Sequence, residues 1–265
     1  MKPSIAALEV PRVIAIAILL FLPTKITQAA TVEGFESTTL NSSNSIGDAG
    51  IRTPDYFGIS PTEGTHELLL TTISTAGGHD PGPNQSGTNA DTVGNIAAFL
   101  GVDSPNIRNT LPFPPQTGQE GSAFKLELGF LTAGTVVTFD YNFLTTEPSD
   151  TLHRDFAFIT LTGLLGNTPV VVDALNATFS TTGIGNPFNL ETHYLTYTIN
   201  IVTDGTYTLG IGVMDATTTD NPSALLVDNI SVAVAPIPEP STVSLGVAGA
   251  VLLIASRRRF KKTLL

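Results

Sequence analysis

Within TVVTFDYNFL (135–144), residues 137–143 alternate apolar and polar side chains without a break. An extended strand sends successive side chains to opposite faces, so this period of two fits a half-buried strand and not a helix. Val137, Phe139, Tyr141 and Phe143 take one face, with Thr138, Asp140 and Asn142 on the other. SAFKLELGF (122–130) repeats the pattern, placing Phe124, Leu126, Leu128 and Phe130 inward and Lys125 and Glu127 outward. YLTYTINIV (194–202) and GTYTLGIGVM (205–214) do the same, and Asp204-Gly205 between them predicts a hairpin turn. ALLVDNISVAV (224–234) reads as a final strand, with TVEGFES (31–37) and HELLLTTIS (66–74) as earlier ones.

A single stretch has helical spacing. Asp91 is placed to cap TVGNIAAFLG, whose Val93, Ile96, Ala97 and Leu100 share a side and whose Gly101 supplies a stop. Residues 77–87, GGHDPGPNQSG, read as a loop, and 101–121 as another. No repeat of fixed period is visible, which argues against a solenoid or propeller. About nine strands at roughly ten-residue spacing predict an all-β fold over residues 30–235: an antiparallel jelly-roll-like β-sandwich with one short helix.

Charge narrows the function. The body from Ala30 to Thr242 holds Arg52, Arg108, Lys125 and Arg154 against 22 acidic residues, a net −18. Nucleic-acid binding needs Lys and Arg to displace counterions, so it is dropped. The chain has no cysteine, which removes disulfides, thiol nucleophiles and Cys-zinc sites.

Both ends read as addresses. Lys2 and Arg12 precede the apolar run VIAIAILLFL (13–22), and PTKITQAA follows, which is the layout of a signal peptide over 1–29 cut after Ala29. The Sec export machinery is the implied partner. At the other end VSLGVAGAVLLIAS (243–256) predicts a short transmembrane helix, and RRRFKK after it would stay on the cytoplasmic side. Pro238 and Pro240 keep the segment before it extended.

Pro238-Glu239-Pro240, the short apolar helix and the Arg-rich tail, in that order over 236–265, resemble a PEP-CTERM sorting signal. The resemblance implies a membrane-embedded exosortase that cleaves near the motif. It also implies a mature protein at the cell surface or in an extracellular polysaccharide matrix. EGSAFKLELGFLTAGTVVTFDYNFLTTE and SALLVDNISV resemble the β-sandwich ectodomains of such exported proteins. GFE near the start and VDNISV near the end are similar to segments of jelly-roll carbohydrate-binding modules. That likeness implies a structural calcium ion held by Glu36 and Asp228, since calcium takes 6–8 oxygen ligands.

Direct chemistry finds little support. A polar group at Asp140, Asn142, Glu147, Asp150, His153, Arg154 and Asp155 would converge if 136–145 and 155–162 formed a hairpin. Glu147 with Asp155 would then imitate a glycosidase pair, but Glu147, Asp150 and Arg154 read better as a solvated loop. His66, His79, His153 and His193 are scattered without zinc spacing, and there is no G-x-S-x-G elbow. The expectation is a non-catalytic exported surface protein, with a lectin-like module for extracellular polysaccharide as the alternative. Sugar platforms use aromatic faces. With no Trp in the chain, Tyr56 is the best-placed stacking candidate.

Overall fold

A computed structural model describes residues 30–53, 57–74, 86–109, 116–147, 155–162, 170–173, 180–183, 186–216 and 221–233. The expected signal peptide, Tyr56, Asp150, His153, Arg154 and the sorting segment with Pro238, Glu239 and Pro240 lie outside them.

The chain begins with β1 (Ala30–Glu33), β2 (Ser45–Ile46), β3 (Asp48–Arg52) and β4 (Glu67–Thr71). β5 (Asp91–Thr92) leads into helix α1 (Val93–Leu100), and β6 (Arg108–Asn109) pairs with β7 (Gln116–Thr117). There follow β8 (Glu120–Leu131), β9 (Val136–Thr145), β10 (Phe156–Thr162), β11 (Val170–Asp173), β12 (Ser180–Thr181) and β13 (Leu190–Glu191). β14 (Leu195–Asn200), β15 (Gly205–Met214) and β16 (Ser223–Ala233) complete the set.

Two antiparallel sheets face each other. Sheet A runs β12-β13-β9-β16-β4-β3, with β14 also on β9 and β1 also on β16. Sheet B runs β11-β10-β15-β8-β2, with β5 also on β8. The core between them takes Phe139, Tyr141, Phe143, Leu225 and Val227 from sheet A and Phe124, Ile159, Leu209, Ile211 and Val213 from sheet B. Burying each such side chain contributes about 1.5–3 kcal/mol. The expected β-sandwich is therefore the fold.

Three local expectations differ. β9 and β10 do not form a hairpin: β9 lies in sheet A, while β10 pairs with β11 and β15 in sheet B. β14 and β15 are likewise split, so Asp204-Gly205 carries the chain across the sandwich instead of turning a hairpin. There Asp204 Oδ1 accepts the Ala133 N–H at 2.7 Å. Turn residues say where a chain reverses, not which sheet it re-enters.

The third difference is at Phe130, which is 67% exposed. Tyr207 faces Gly129 and Thr208 faces Glu127, so Leu128 is an extra residue on β8. Gly129 sits at φ +73°, where a glycine costs least. The bulge inverts the alternation, turning Phe130 out and Leu131 in.

The helix forms where expected, with its cap shifted by one residue. Thr92 accepts the Asn95 N–H, while Asp91 Oδ1 accepts the Thr92 N–H and the Asn95 amide. Gly101 closes the helix at φ +71°.

Candidate functional site

Because Leu68, Val227 and Tyr141 point into the core, their neighbours Glu67, Asp228 and Asp140 point to the other face of sheet A. The ladder aligns them. Asp140 sits opposite Asp228 on one side and Thr196 on the other. Glu67 lies one step beyond the Val227–Leu68 pair, and Arg52 is opposite it. A row of three acids thus crosses β4, β16 and β9. Glu67 and Asp228 are fully buried.

The cover is the segment 57–66 together with 186–194. Phe57, Ile59 and Tyr194 pack on a second apolar cluster built from Leu69, Ile73, Leu144, Phe188, Ala224 and Leu226. The acids are the polar margin of that cover. Thr62 Oγ1 lies 2.9 Å from Asp140 Oδ2 and 3.1 Å from Asp228 Oδ2. One hydroxyl carries one proton, so the two carboxylates compete for it. Asp228 Oδ2 also accepts the Glu63 N–H at 2.7 Å, and Oδ1 the Asn229 N–H at 2.7 Å. Asn229 is held at φ +52°, which Asn tolerates, and its amide donates to Asp140 Oδ2 at 3.1 Å. The Thr196 hydroxyl donates to Asp140 Oδ1 at 2.6 Å.

Glu67 is the least satisfied member. The Tyr194 hydroxyl donates to its Oε2, and its Oε1 has no hydrogen-bond partner among the described residues. Burial lifts its carboxyl to about 7, and the charge of Asp228 pushes the same way, against the Tyr194 hydrogen bond. Burial also raises Asp228, held in check by its hydrogen bonds to Glu63 and Asn229. The Tyr194 hydroxyl is driven above its ordinary range, first by burial and then by Glu67.

Glu36 braces the same loop from the open side. Its Oε1 accepts the N–H of Thr65 at 2.5 Å and of His66 at 2.8 Å, and its Oε2 accepts the Thr65 hydroxyl at 2.8 Å. The Thr65 hydrogen bonds pull its carboxyl down to about 2. Phe35 beside it takes φ +61°, a conformation held by burial of its ring edge-on to Phe124 at 5.5 Å.

The calcium expectation meets this arrangement directly. Glu36 and Asp228 are both brought to the 62–66 loop, but each carboxylate is already occupied by N–H donors. A cation there would face the positive ends of those same dipoles. Among the described residues no three His, Asp or Glu side chains are grouped to hold a metal. As placed, Glu36 and Asp228 act as anchors of the 62–66 loop.

The second polar group is also reassigned. Glu147 is 2% exposed, not part of a solvated loop, and Asp155 is 1% exposed. Glu147 Oε2 accepts the Asp155 N–H at 2.8 Å, and Asp155 Oδ1 accepts the Ala216 N–H at 3.1 Å. Asn142, expected outward to solvent, is buried with its amide on Glu191 at 2.7 Å. Sequence reasoning missed Glu67 and Glu191 altogether. The available signal for Glu67 was that ELLLT lacks alternation, as a strand covered on both faces does.

Next to the buried row the same face is open. Thr196, Thr198 and Asn200 of β14 are exposed, and Thr138 and Asp140 of β9 are half-buried beside them. Thr198 sits opposite Thr138, whose hydroxyl bonds that of Ser231 at 2.8 Å. The result is a grid of hydroxyl, amide and carboxylate groups.

No family model matches the chain, and no curated protein is similar to it. Among solved structures it is similar to TmCBM61 in complex with β-1,4-galactotriose, at 9% identity over 72% of this chain and 87% of that one, TM-score 0.34. It is also similar to one of the carbohydrate-binding modules from the β-sandwich superfamily, at 15% identity over 78% and 63%, TM-score 0.33. A third, Family 16 Carbohydrate Binding Module-2, stands at 10% identity over 71% and 86%, TM-score 0.29. At such scores the likenesses carry no argument about ligands. The fold rests on the two sheets themselves.

Proposed function

We propose that the chain is an exported surface protein whose β-sandwich is delivered by Sec and released or re-anchored by an exosortase-type enzyme. The observation that carries this reading is the order of the three C-terminal features: Pro238-Glu239-Pro240, the apolar run 243–256, and the basic tail RRRFKK. The signal-peptide layout over 1–29 supports it from the other end. The body presents surfaces for contact, and its strong negative charge keeps it soluble.

A second reading, contact with extracellular polysaccharide, is favoured by the polar grid on β14 and β9. Sugar hydroxyls are matched by Thr, Asn and Asp side chains held in register across β14 and β9, although no Trp is available for stacking. Intact mass of the protein from its native host tests the first reading. Loss of residues 1–29 and of everything after the Pro-Glu-Pro motif is the expected result; retention of RRRFKKTLL in the mature protein would sink the sorting proposal.

A further inference from the structure

Away from the acid row, β12 and β13 bring three side chains into a line. Ser180 and Glu191 are opposite each other in the ladder, and His193 follows two residues on. Ser180 Oγ lies 2.7 Å from His193 Nε2. His193 Nδ1 lies 3.4 Å from Glu191 Oε2. That carboxylate is in turn fixed by the Asn142 amide, which donates to Oε2 at 2.7 Å. The Thr192 hydroxyl lies 2.9 Å from the His193 carbonyl and 3.3 Å from Asn142 Oδ1.

The order is hydroxyl, imidazole, carboxylate, amide. A nucleophile needs a base within hydrogen-bond reach and a third group that sets the base's tautomer. Glu191 Oε2 lies at ion-pair distance from Nδ1, where its charge stabilises the imidazolium that forms as Nε2 takes the Ser180 proton. Burial separates the roles. The Glu191 side chain is 8% exposed and His193 67% exposed, so the orienting group is sheltered while the reacting pair faces solvent. His193 also sits at φ +55°, sparsely populated for a side-chain-bearing residue. Backbone held off its preferred regions concentrates at working sites.

We propose that Ser180 and His193 form an acyl-transfer site, with Glu191 as the positioning residue, for small carboxylic esters carried on polyols. Ser180 Oγ bonds to the acyl carbon as its proton passes to His193 Nε2. The ester C–O bond breaks, and the departing alcohol takes that proton. Water then attacks the acyl-serine and gives its proton to His193. The acid leaves, and the proton returns to Oγ. Water is the sole co-reactant. An open, solvent-facing pair suits an acyl group projecting from a large molecule better than a substrate that must be enclosed. The choice of a polyol ester rests on the polysaccharide reading above; the acyl-transfer chemistry does not.

The test uses the full-length protein. It is incubated with a fluorophosphonate and weighed intact, and hydrolysis of p-nitrophenyl acetate is followed in parallel. One adduct on Ser180 is expected. Ser180→Ala or His193→Ala should abolish it and lower turnover about 100-fold, with the melting temperature unchanged. Glu191→Gln should lower kcat with KM unchanged, a split that a merely structural hydrogen bond would not produce. No adduct, or turnover that survives Ser180→Ala, would overturn the proposal. Turnover of p-nitrophenyl acetate without acetate release from an acetylated polysaccharide would keep the triad and reject the polyol ester.

Discussion

The outer faces of the two sheets are each covered in part, in opposite ways. Sheet B is sealed by α1, which lays Ile96, Ala97 and Leu100 on Ala123, Phe156, Phe158 and Met214. Two glycines of β15 make room. A Cβ on Gly210 would fall 2.7 Å from Leu100 Cδ2, and one on Gly212 would fall 2.4 Å from the Phe158 ring. Lys125 finishes the seal by donating to the Phe99 carbonyl at the helix C-terminus and lying over the Phe99 ring at 4.2 Å. Sheet A, open beside β14, is covered over β4 and β16 by loop segments that trap Glu67 and Asp228 with Tyr194. The first cover is apolar and should be indifferent to pH; the second contains its own electrostatic instability. A loop bound to buried acids is the cheaper of the two to open.

The largest effect is expected on the helix side. Leu100→Ala should cost about 2–5 kcal/mol by leaving a cavity over Gly210, with the same loss at pH 5 and pH 8. Denaturant melts at both values check it, and a pH-dependent loss would break the contrast.

Glu67→Gln should act on the other face alone. With its carboxyl at about 7 in the fold and near 4.5 in the unfolded chain, the native state holds the extra proton between those values. Stability from this group is complete below about pH 4.5 and is lost as pH rises through 7. The loss reaches up to about 3 kcal/mol, and Asp228 slopes the same way. Glu36, whose carboxyl is pulled down, acts oppositely and only below about pH 4.5. The Gln variant should therefore melt several degrees higher than the parent at pH 8 and close to it at pH 5. Equal shifts at both values would show that Glu67 is not protonated in the fold.

Thr62→Ala should have the smallest effect, about 1 kcal/mol, because it removes one hydrogen bond shared by two carboxylates. Hydrogen exchange gives the sharper readout. The Glu63, Thr65 and His66 amides should exchange faster, while the α1 amides do not change.

How far this was legible follows from periodicity. β9 and β15 stood out because core-facing apolar residues alternate there with polar residues or glycine on the other face. β4 hid its acid because both faces of ELLLT are buried, so the pattern that marks a strand was absent where the row of acids begins. Asp228 was singled out, but through a resemblance, and its partners come from residues 62, 63, 140 and 229. Loop geometry puts Thr62 beside Asp140, 78 positions away, and no local signal encodes that. Ser180 and His193 were each visible as residues and invisible as a pair, because β12 and β13 are two-residue strands set by tertiary packing. The Phe130 error has a plain source. One extra residue at Leu128 inverts everything after it.

The position of β16 has a kinetic meaning. It is the last described strand in the chain, yet it lies inside sheet A with β9 on one side and β4 and β1 on the other. Sheet A therefore cannot assemble progressively from its N-terminal end: β4 and β9 remain apart until residues 223–233 arrive to join them. Pairings this distant in sequence place such a domain among the slow folders, in the millisecond-to-second range. A chain emerging N-terminus first would stay open to proteases and to misplaced strand pairing until its final strand was delivered.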